Sequence, residues 1–311
     1  MLDKTEVQGN GSTDHARLGK IGFVGLGHMG TAMAANLAAA GHRVHAYVRH
    51  PEQMKDLQAL GVAPTMSISE LFDSDIVVSM LPDDEVVRDV FFGSAKRIDG
   101  IAGRLVSGTI HLSMSTISTA ASAEFERAHQ RLGQGYVAAP VFGNPDAAKA
   151  RQLSIIVAGR LIHCQRCRPL LEGLGQVFVV GAEPARANLI KLLGNMMTAT
   201  SLEVLGEVTT VLRKCGHDPQ QFVDIMTGTM FGSRVHKIYG NRIVSGDYAP
   251  GLAMQLALKD VRLALAEAEK ASAPMPSVSL VRDRMITAIA RGHAELDWTA
   301  LGLVALEQAG L

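Results

Sequence analysis

Lys191 and Asn195 are the two polar side chains in a stretch of otherwise apolar residues at 189–197, Leu-Ile-Lys-Leu-Leu-Gly-Asn-Met-Met. Burying an unpaired ammonium among apolar groups is costly, so we expect Lys191 to reach a cavity. Residues four apart share one face of a helix, and Asn195 is therefore expected to point into the same space.

A lysine in such a place is suited to proton transfer. Partial desolvation lowers the pKa of an ammonium towards neutrality, where it can exchange a proton with a substrate oxygen. We therefore assign Lys191 and Asn195 as candidate catalytic residues, with Asn195 holding either the lysine or the same oxygen. The alternative is structural, with Lys191 reaching solvent or pairing with an acid.

A glycine-rich turn supplies a second candidate site. It follows an apolar stretch (20–24), precedes an Ala-rich one (31–40) and leads to a second apolar stretch (43–48). Strand, glycine turn and helix in this order are typical of a dinucleotide-binding fingerprint, in which the phosphates meet the amides and dipole of the helix N-terminus. The turn residues predicted to bind the cofactor are Gly25, Leu26, Gly27, His28, Met29 and Gly30.

The end of the second strand is expected to choose between the two nicotinamide dinucleotides. An acid there accepts a hydrogen bond from the 2′-hydroxyl of NAD, whereas the 2′-phosphate of NADP requires a cation. Here the strand ends in Val48-Arg49-His50-Pro51, with no acid before Glu52. Because guanidinium pairs with phosphate through two parallel donors, Arg49, with His50 beside it, predicts NADP(H). A surface arginine without this role is the alternative.

Composition excludes several other classes of protein. Lys plus Arg and Asp plus Glu both number 30 in 311 residues, so no net field attracts nucleic acid or an anionic membrane. We find neither a run long enough for a spanning helix nor a secretory signal, and expect a cytoplasmic protein with a small-molecule substrate. Three cysteines are too few for a disulfide framework, and Cys164-Gln165-Arg166-Cys167 lacks a second ligand pair, so no metal is expected.

These residues need two domains to position them. Residues 1–18 are polar and read as a disordered tail, whereas strands and helices alternate over 19–181. The alternation predicts an α/β domain of the Rossmann type, with a doubly wound parallel sheet whose ligands lie at the carboxyl ends of its strands. The loops expected there are Met80-Leu81-Pro82, Ser113-Met114-Ser115-Thr116 and Ala139-Pro140-Val141-Phe142-Gly143-Asn144.

Residues 182–311 carry a helical period without a convincing strand. The first predicted helix, 183–215, begins with Pro184 in its first turn and ends before Gly216. At 1.5 Å per residue it is about 50 Å long, so it is expected to bridge the domains. The remaining all-α domain is expected to close the cleft and to form subunit contacts.

Several motifs resemble those of the β-hydroxyacid dehydrogenase family, in the family's order. They are the fingerprint from Gly22 to Gly30, Leu81-Pro82, Ser115-Thr116, Ala139-Pro140-Val141-x-Gly143, Lys191 with Asn195, and Lys259-Asp260. The resemblance covers the chain from about residue 20 to its end. It implies a dinucleotide-binding domain, a long connecting helix and an all-α domain that mediates dimers, and we expect a homodimer or homotetramer.

The resemblance also implies roles for individual residues. Lys191 is similar to the family's catalytic lysine, Ser115 or Thr116 would lie beside the nicotinamide ribose, and Lys259 would lie near the cofactor with Leu81 and Pro82. The residues assigned to the substrate are Ser115, Phe142, Gly143, Asn144 and Phe231.

Two departures from the family pattern bear on the substrate. The family usually has Ser-Gly-Gly after Ala-Pro-Val, where this chain has Phe142-Gly143-Asn144, and it usually has aspartate at the position of Ser113. A hydroxyl and a negative charge are thereby lost. We expect a less polar or bulkier carbonyl compound than 3-hydroxyisobutyrate.

The sequence thus favours an NADPH-dependent oxidoreductase that interconverts a small aldehyde or keto acid and the corresponding hydroxyacid. An imine reductase is the nearest alternative, since such enzymes resemble the same fold; Phe142 favours it, but they usually have Asp or Tyr in place of the lysine. A catalytically silent scaffold is the third reading, and the retained lysine and glycines argue against it.

Overall fold

A computed structural model of the chain describes residues 19–93 and 100–311. The tail predicted to be disordered, residues 1–18, lies outside the described residues. The first domain is a sheet of nine strands with helices on both faces. Its strands are β1 (Lys20–Val24), β2 (Arg43–Tyr47), β3 (Ala63–Thr65), β4 (Ile76–Ser79), β5 (Ile110–Ser113), β6 (Gly135–Ala138), β7 (Val141–Phe142), β8 (Leu153–Gly159) and β9 (Gly175–Gly181).

Within the described part of this domain, six helices connect these strands. They are α1 (His28–Ala39), α2 (Gln53–Ala59), α3 (Asp84–Phe92), α4 (Thr119–Arg131), α5 (Pro145–Lys149) and α6 (Leu161–Glu172), with short 3₁₀ turns at Ile68–Leu71 and Ala102–Arg104. Strands β4, β5 and β6 are buried along their whole length because helices cover both faces of the sheet.

The strand order confirms the predicted doubly wound sheet. From one edge it runs β3-β2-β1-β4-β5-β6-β8-β7, and β9 pairs with β8. Pairs from β3 to β6 are parallel, whereas β8 runs antiparallel to β6 and β7. The chain winds outwards from β1 in one direction and from β4 in the other, so a crevice opens between the carboxyl ends of these two strands.

Two strands, β3 and β7, were not expected from the sequence. β3 is three residues long and contains Pro64, which is tolerated because β3 lies at the edge of the sheet. β7 has two residues and pairs with β8 through Val141 and Phe142. Neither segment is long enough to show a periodic pattern.

The second domain is helical, as predicted. It consists of α7 (Pro184–Lys214), α8 (Pro219–Thr227), α9 (Arg234–Ser245), α10 (Met254–Lys270), α11 (Pro276–Ala290) and α12 (Leu301–Gln308), with a 3₁₀ turn at Trp298–Ala300. The 31 residues of α7 extend about 46 Å. Helix α7 packs on α4 and β8 of the first domain and on α9, α10 and α12 of the second, so it joins the two domains.

Among the described residues, no helix combines the length and apolarity needed to cross a membrane.

Candidate active site

The glycine turn between β1 and α1 has the geometry that the fingerprint predicts. Gly25 has φ +97°, and a Cβ placed on it would lie 2.2 Å from the carbonyl oxygen of Met80. A Cβ on Gly30 would lie 1.9 Å from the carbonyl oxygen of Gly25, so α1 packs against the turn only without a side chain there. A Cβ on Gly27 would meet nothing within 4 Å, which leaves its backbone open to a ligand.

A cleft of about 890 Å³, here called the fingerprint cleft, opens above this turn. The predicted cofactor residues on its wall are Gly25, Leu26, Gly27, His28, Met29, Gly30, Arg49, His50, Leu81, Pro82, Thr116 and Lys259. Arg49 and His50 are exposed at the end of β2. A dinucleotide with its phosphates at the turn would extend its ribose towards this end.

Lys259, on α10 of the helical domain, binds two loops that form the wall of the fingerprint cleft. Its Nζ donates to the carbonyl oxygens of Pro82 and Thr116, at 2.6 Å each, so one ammonium holds the loops after β4 and β5. It also lies 3.1 Å from Asp260 Oδ1. The neighbouring Ser115 accepts a hydrogen bond from the Leu81 amide at 2.8 Å and thereby joins the same two loops.

The predicted pair on α7 lies in an adjoining cavity of about 660 Å³, here called the lysine chamber. Its walls include Phe142, Gly143, Asn144, Lys191 and Asn195, and it shares His28, Met29, Thr116 and Asp260 with the fingerprint cleft. The chamber and the cleft are therefore continuous. Proton chemistry at Lys191 can act on a molecule that also reaches a bound dinucleotide.

A hydrogen-bond chain orients Lys191. Its Nζ donates to Asn195 Oδ1 at 2.7 Å, and Asn195 Nδ2 donates to Asp260 Oδ2 at 2.7 Å. Lys191 is 8% exposed and Asp260 is 3% exposed. Burial lowers the pKa of the Lys191 ammonium to about 8; the Asp260 carboxylate opposes this effect and the Lys259 ammonium adds to it. The lysine can thus be protonated or neutral near physiological pH.

The Phe142 side chain forms one wall beside this lysine. Lys191 Nζ lies 4.5 Å from the centre of the Phe142 ring, within the range of a cation–π contact. The ring fits because residue 194 is glycine, where a Cβ would come within 2.3 Å of Phe142 Cζ. The loop after β6 therefore presents an aromatic face to the lysine.

Two of the assigned residues lie off the described walls of the lysine chamber. Ser115 is fully buried, is absent from the walls of both cavities, and accepts a hydrogen bond from the Leu81 amide. Phe231 lies in the connection between α8 and α9, on a separate apolar groove, and is absent from the described walls of the lysine chamber.

Asp260 is the residue whose role the sequence did not reveal. Next to Lys259 on a helix it resembles a solvated ion pair, whereas the fold buries it against Asn195. The sequence did hold one indication of its burial. Asp260 lies on the same face of α10 as Ala257, Val261 and Ala264, and that face is buried. An acid on such a face requires a partner.

Dinucleotide-binding oxidoreductases with two domains are the class that this fold and cleft define. Two family models match the chain. Residues 20–181 match the NAD binding domain of 6-phosphogluconate dehydrogenase, and residues 185–304 match the NAD-binding domain of NADP-dependent 3-hydroxyisobutyrate dehydrogenase.

Individual proteins are similar over almost the whole chain. The uncharacterized oxidoreductase YfjR of Bacillus subtilis is 39% identical and covers 91% of this chain and 98% of its own. The 2-hydroxy-3-oxopropionate reductase of Escherichia coli is 32% identical, with 91% and 95% covered. The structure of Psf3 in complex with NADP⁺ and 2-OPP has a TM-score of 0.82 at 27% identity, with 91% and 99% covered.

An imine reductase from Pseudomonas sp. shares the fold alone, with a TM-score of 0.58 at 21% identity and 92% and 99% of the chains covered.

The chain belongs to the β-hydroxyacid dehydrogenase family, whose members are nicotinamide-dependent oxidoreductases.

Proposed function

We propose that this protein is an NADPH-dependent reductase of a small aldehyde or keto acid, which also catalyses the reverse oxidation of the hydroxyacid. The observation that carries the proposal is the position of Lys191, buried in a chamber that is continuous with the fingerprint cleft. Its lowered pKa fits a group that gives and takes a proton near neutral pH.

The residues of the fingerprint cleft fit a nicotinamide dinucleotide. The open backbone at Gly27 and the N-terminus of α1 suit a pyrophosphate, and Arg49 suits a 2′-phosphate. The match to a domain of an NADP-dependent enzyme and the NADP⁺ in the Psf3 structure support the same choice. When bound, the dinucleotide supplies or accepts the hydride.

The chain's own residues manage the proton. Lys191 Nζ donates a proton to the substrate oxygen as negative charge develops on it, and it takes the proton back in the oxidation direction. Asn195 accepts one N–H of the ammonium and so directs the remaining N–H groups into the chamber. Asp260 fixes the orientation of the Asn195 amide, and Phe142 excludes water from one side of the ammonium.

A panel of carbonyl compounds tests the proposal. The purified protein is mixed with either NADPH or NADH and with one compound at a time: glyoxylate, succinic semialdehyde, further aldehydes and keto acids, or a cyclic imine. The absorbance of the reduced nicotinamide is then followed. We expect turnover of at least one aldehyde or keto acid, with NADPH preferred. Reduction of the imine alone would instead indicate an imine reductase. Phe142 favours that alternative, whereas Lys191 argues against it.

We also infer that the protein works as a homodimer, with a second copy covering an apolar groove on the helical domain. The groove, of about 740 Å³, lies between α7, α8 and Phe231 and is lined almost entirely by apolar side chains. Met197 of α7 is 76% exposed there, and Met230, which precedes the groove residue Phe231 in the chain, is 87% exposed. In a two-fold dimer the same surface of both copies meets, so an exposed apolar side chain of one copy can enter the apolar groove of the other, and the reverse. We therefore infer that a second copy occupies the groove.

A further inference from the structure

Arg234 lies on the wall of the lysine chamber and has no part in the chemistry described above. It is the first residue of α9, is exposed, and its Nη2 donates a hydrogen bond to Gln152 Oε1 at 3.4 Å across the chamber. The contact joins the helical domain to the residue before β8, so the guanidinium stands between the two domains.

The acids on the described chamber wall pair with cations other than Arg234, so its guanidinium is available to pair with an anionic group of a ligand. Each acid on the described wall is held by a cation: Asp146 by Lys149 at 3.7 Å, Asp247 and Asp297 by Arg242 at 3.5 and 3.4 Å, and Asp260 by Lys259 at 3.1 Å. Within residues 19–93 and 100–311, no acidic oxygen lies within 4 Å of the Arg234 guanidinium. Lys191 and Arg234 are thus the chamber cations that no carboxylate contacts directly.

The loop after β6, residues 139–144, carries no charged side chain that could pair with an anion. Phe142 presents a ring where a hydroxyl would be a donor, and Asn144, whose Oδ1 caps α5 by accepting from the Ala147 amide at 2.9 Å, offers only a neutral amide donor. The ring also fills the space beside Lys191 Nζ.

We propose that Arg234 binds the anionic group of the substrate, a carboxylate or a comparable small acid. This inference rests on the proposed function, because it places the carbonyl at Lys191. The planar guanidinium pairs with a carboxylate through two parallel N–H donors, so it holds the chain in one orientation in the chamber. Arg234 is then a specificity-determining residue.

Kinetics with matched aldehydes test this role. We expect Arg234→Ala to raise the KM for succinic semialdehyde about 10- to 100-fold, because one charge-assisted pair is lost. Butanal has the same number of carbons and no charge, so its kcat/KM should change less than about threefold. Arg234→Lys should restore part of the loss. Lys237→Ala, on the exposed face of α9, is the matched control for removing a cation and should leave both substrates unchanged.

A second variant separates binding from mere domain contact. Gln152→Leu removes the observed partner of Arg234 and keeps the charge. If Arg234 only ties the domains together, Gln152→Leu should reproduce the effect of Arg234→Ala on both aldehydes. That result would overturn the inference, as would an equal loss for succinic semialdehyde and butanal.

Binding without turnover makes the inference independent of the reaction. Trp298 is the chain's single tryptophan and lies on the chamber wall, so its fluorescence reports on the chamber. We expect succinate to change this fluorescence in the native protein and about 10- to 100-fold more succinate to be needed in Arg234→Ala. Equal succinate affinity in the two proteins would refute the role of Arg234, whereas absence of turnover with intact succinate binding would refute the proposed function alone.

Discussion

Lys191 owes its chemistry to its surroundings. Burial destabilises the charged ammonium, while Asn195 and the face of the Phe142 ring stabilise it. The position and polarity of Lys191 and Asn195 could be predicted from the sequence because two polar residues interrupt an apolar helix. The buried state of Asp260 could not, since it depends on how α10 packs on α7.

If Lys191 transfers the proton as proposed, its lowered pKa sets the pH dependence of the reaction. The protonated form donates in reduction, so kcat/KM for reduction should be constant at low pH and fall about tenfold per pH unit above the pKa of about 8. Oxidation needs the neutral amine and should rise through the same range. Initial rates in both directions measure the two profiles. A reduction rate that increases above pH 8 would contradict the assigned role.

The proposed preference for NADPH depends on a second residue, Arg49. We expect Arg49→Ala to raise the KM for NADPH about 10- to 100-fold, because a charge-assisted pair with the 2′-phosphate is lost, and to leave the KM for NADH within about threefold. Arg43→Ala, at the exposed start of the same strand, is the control. Unchanged affinity for NADPH would remove Arg49 from the cofactor site.

At the scale of elements, buried side chains tie β4 and β5 to α4. Gln134 Nε2 donates to the carbonyl oxygen of Ala102, so its Oε1 accepts from His129 Nδ1 at 2.8 Å. His129 Nε2 then accepts from His111 Nδ1, and His111 Nε2 accepts from the Ser79 hydroxyl, each at 2.9 Å. Because each ring nitrogen has one role, both histidines are neutral. Ser79 ends β4, next to the loop that lines the fingerprint cleft.

This chain of hydrogen bonds makes stability depend on pH. Burial lowers the pKa of His129 to about 4 and that of His111 well below 6.5. The unfolded chain therefore binds more protons below pH 6.5, and the free energy of unfolding falls as the pH decreases towards 4, by about 2 kcal/mol per histidine at pH 5.

The pH effect can be measured by denaturant unfolding. We expect His111→Leu/His129→Leu to lose less stability between pH 7 and pH 5 than the native protein loses, whatever its stability at pH 7. The same decrease in both proteins would show that other groups cause the acid sensitivity.

The sequence could predict the long elements better than the short ones. Alternation and helical period identified the parallel sheet and the helices of the second domain, because each long element carries its own pattern. Strands β3 and β7 exist through pairing with a neighbour, at a sheet edge and on β8, and nothing local marks them.

At the scale of the whole molecule, α7 lines a different cavity with each of two faces. One face presents Lys191 to the cleft between the domains, and another exposes apolar side chains in the groove with α8. The length of α7 was readable from the sequence and indicated a connection between domains. Which residues face the groove was not, because most of the helix is apolar on several sides.

The inferred dimer can be tested at this groove. Met197→Glu places a charge on the groove, and we expect it to shift the molar mass measured by light scattering from that of two chains to that of one. Leu161→Glu is the matched control, because Leu161 is 68% exposed on α6, away from the groove. A native protein of one-chain mass, or a Met197→Glu protein with the native mass of two, would refute the inferred interface.

The central claim is that Lys191 transfers the proton. Lys191→Met keeps the length of the side chain and removes the ammonium, and Lys237→Met on α9 is the matched control. We expect Lys191→Met to bind NADPH with native affinity, measured by the fluorescence of the reduced nicotinamide, and to reduce its best carbonyl substrate about 10²- to 10⁴-fold more slowly in a single turnover. A single-turnover rate equal to that of the native protein, with the cofactor bound, would contradict the account.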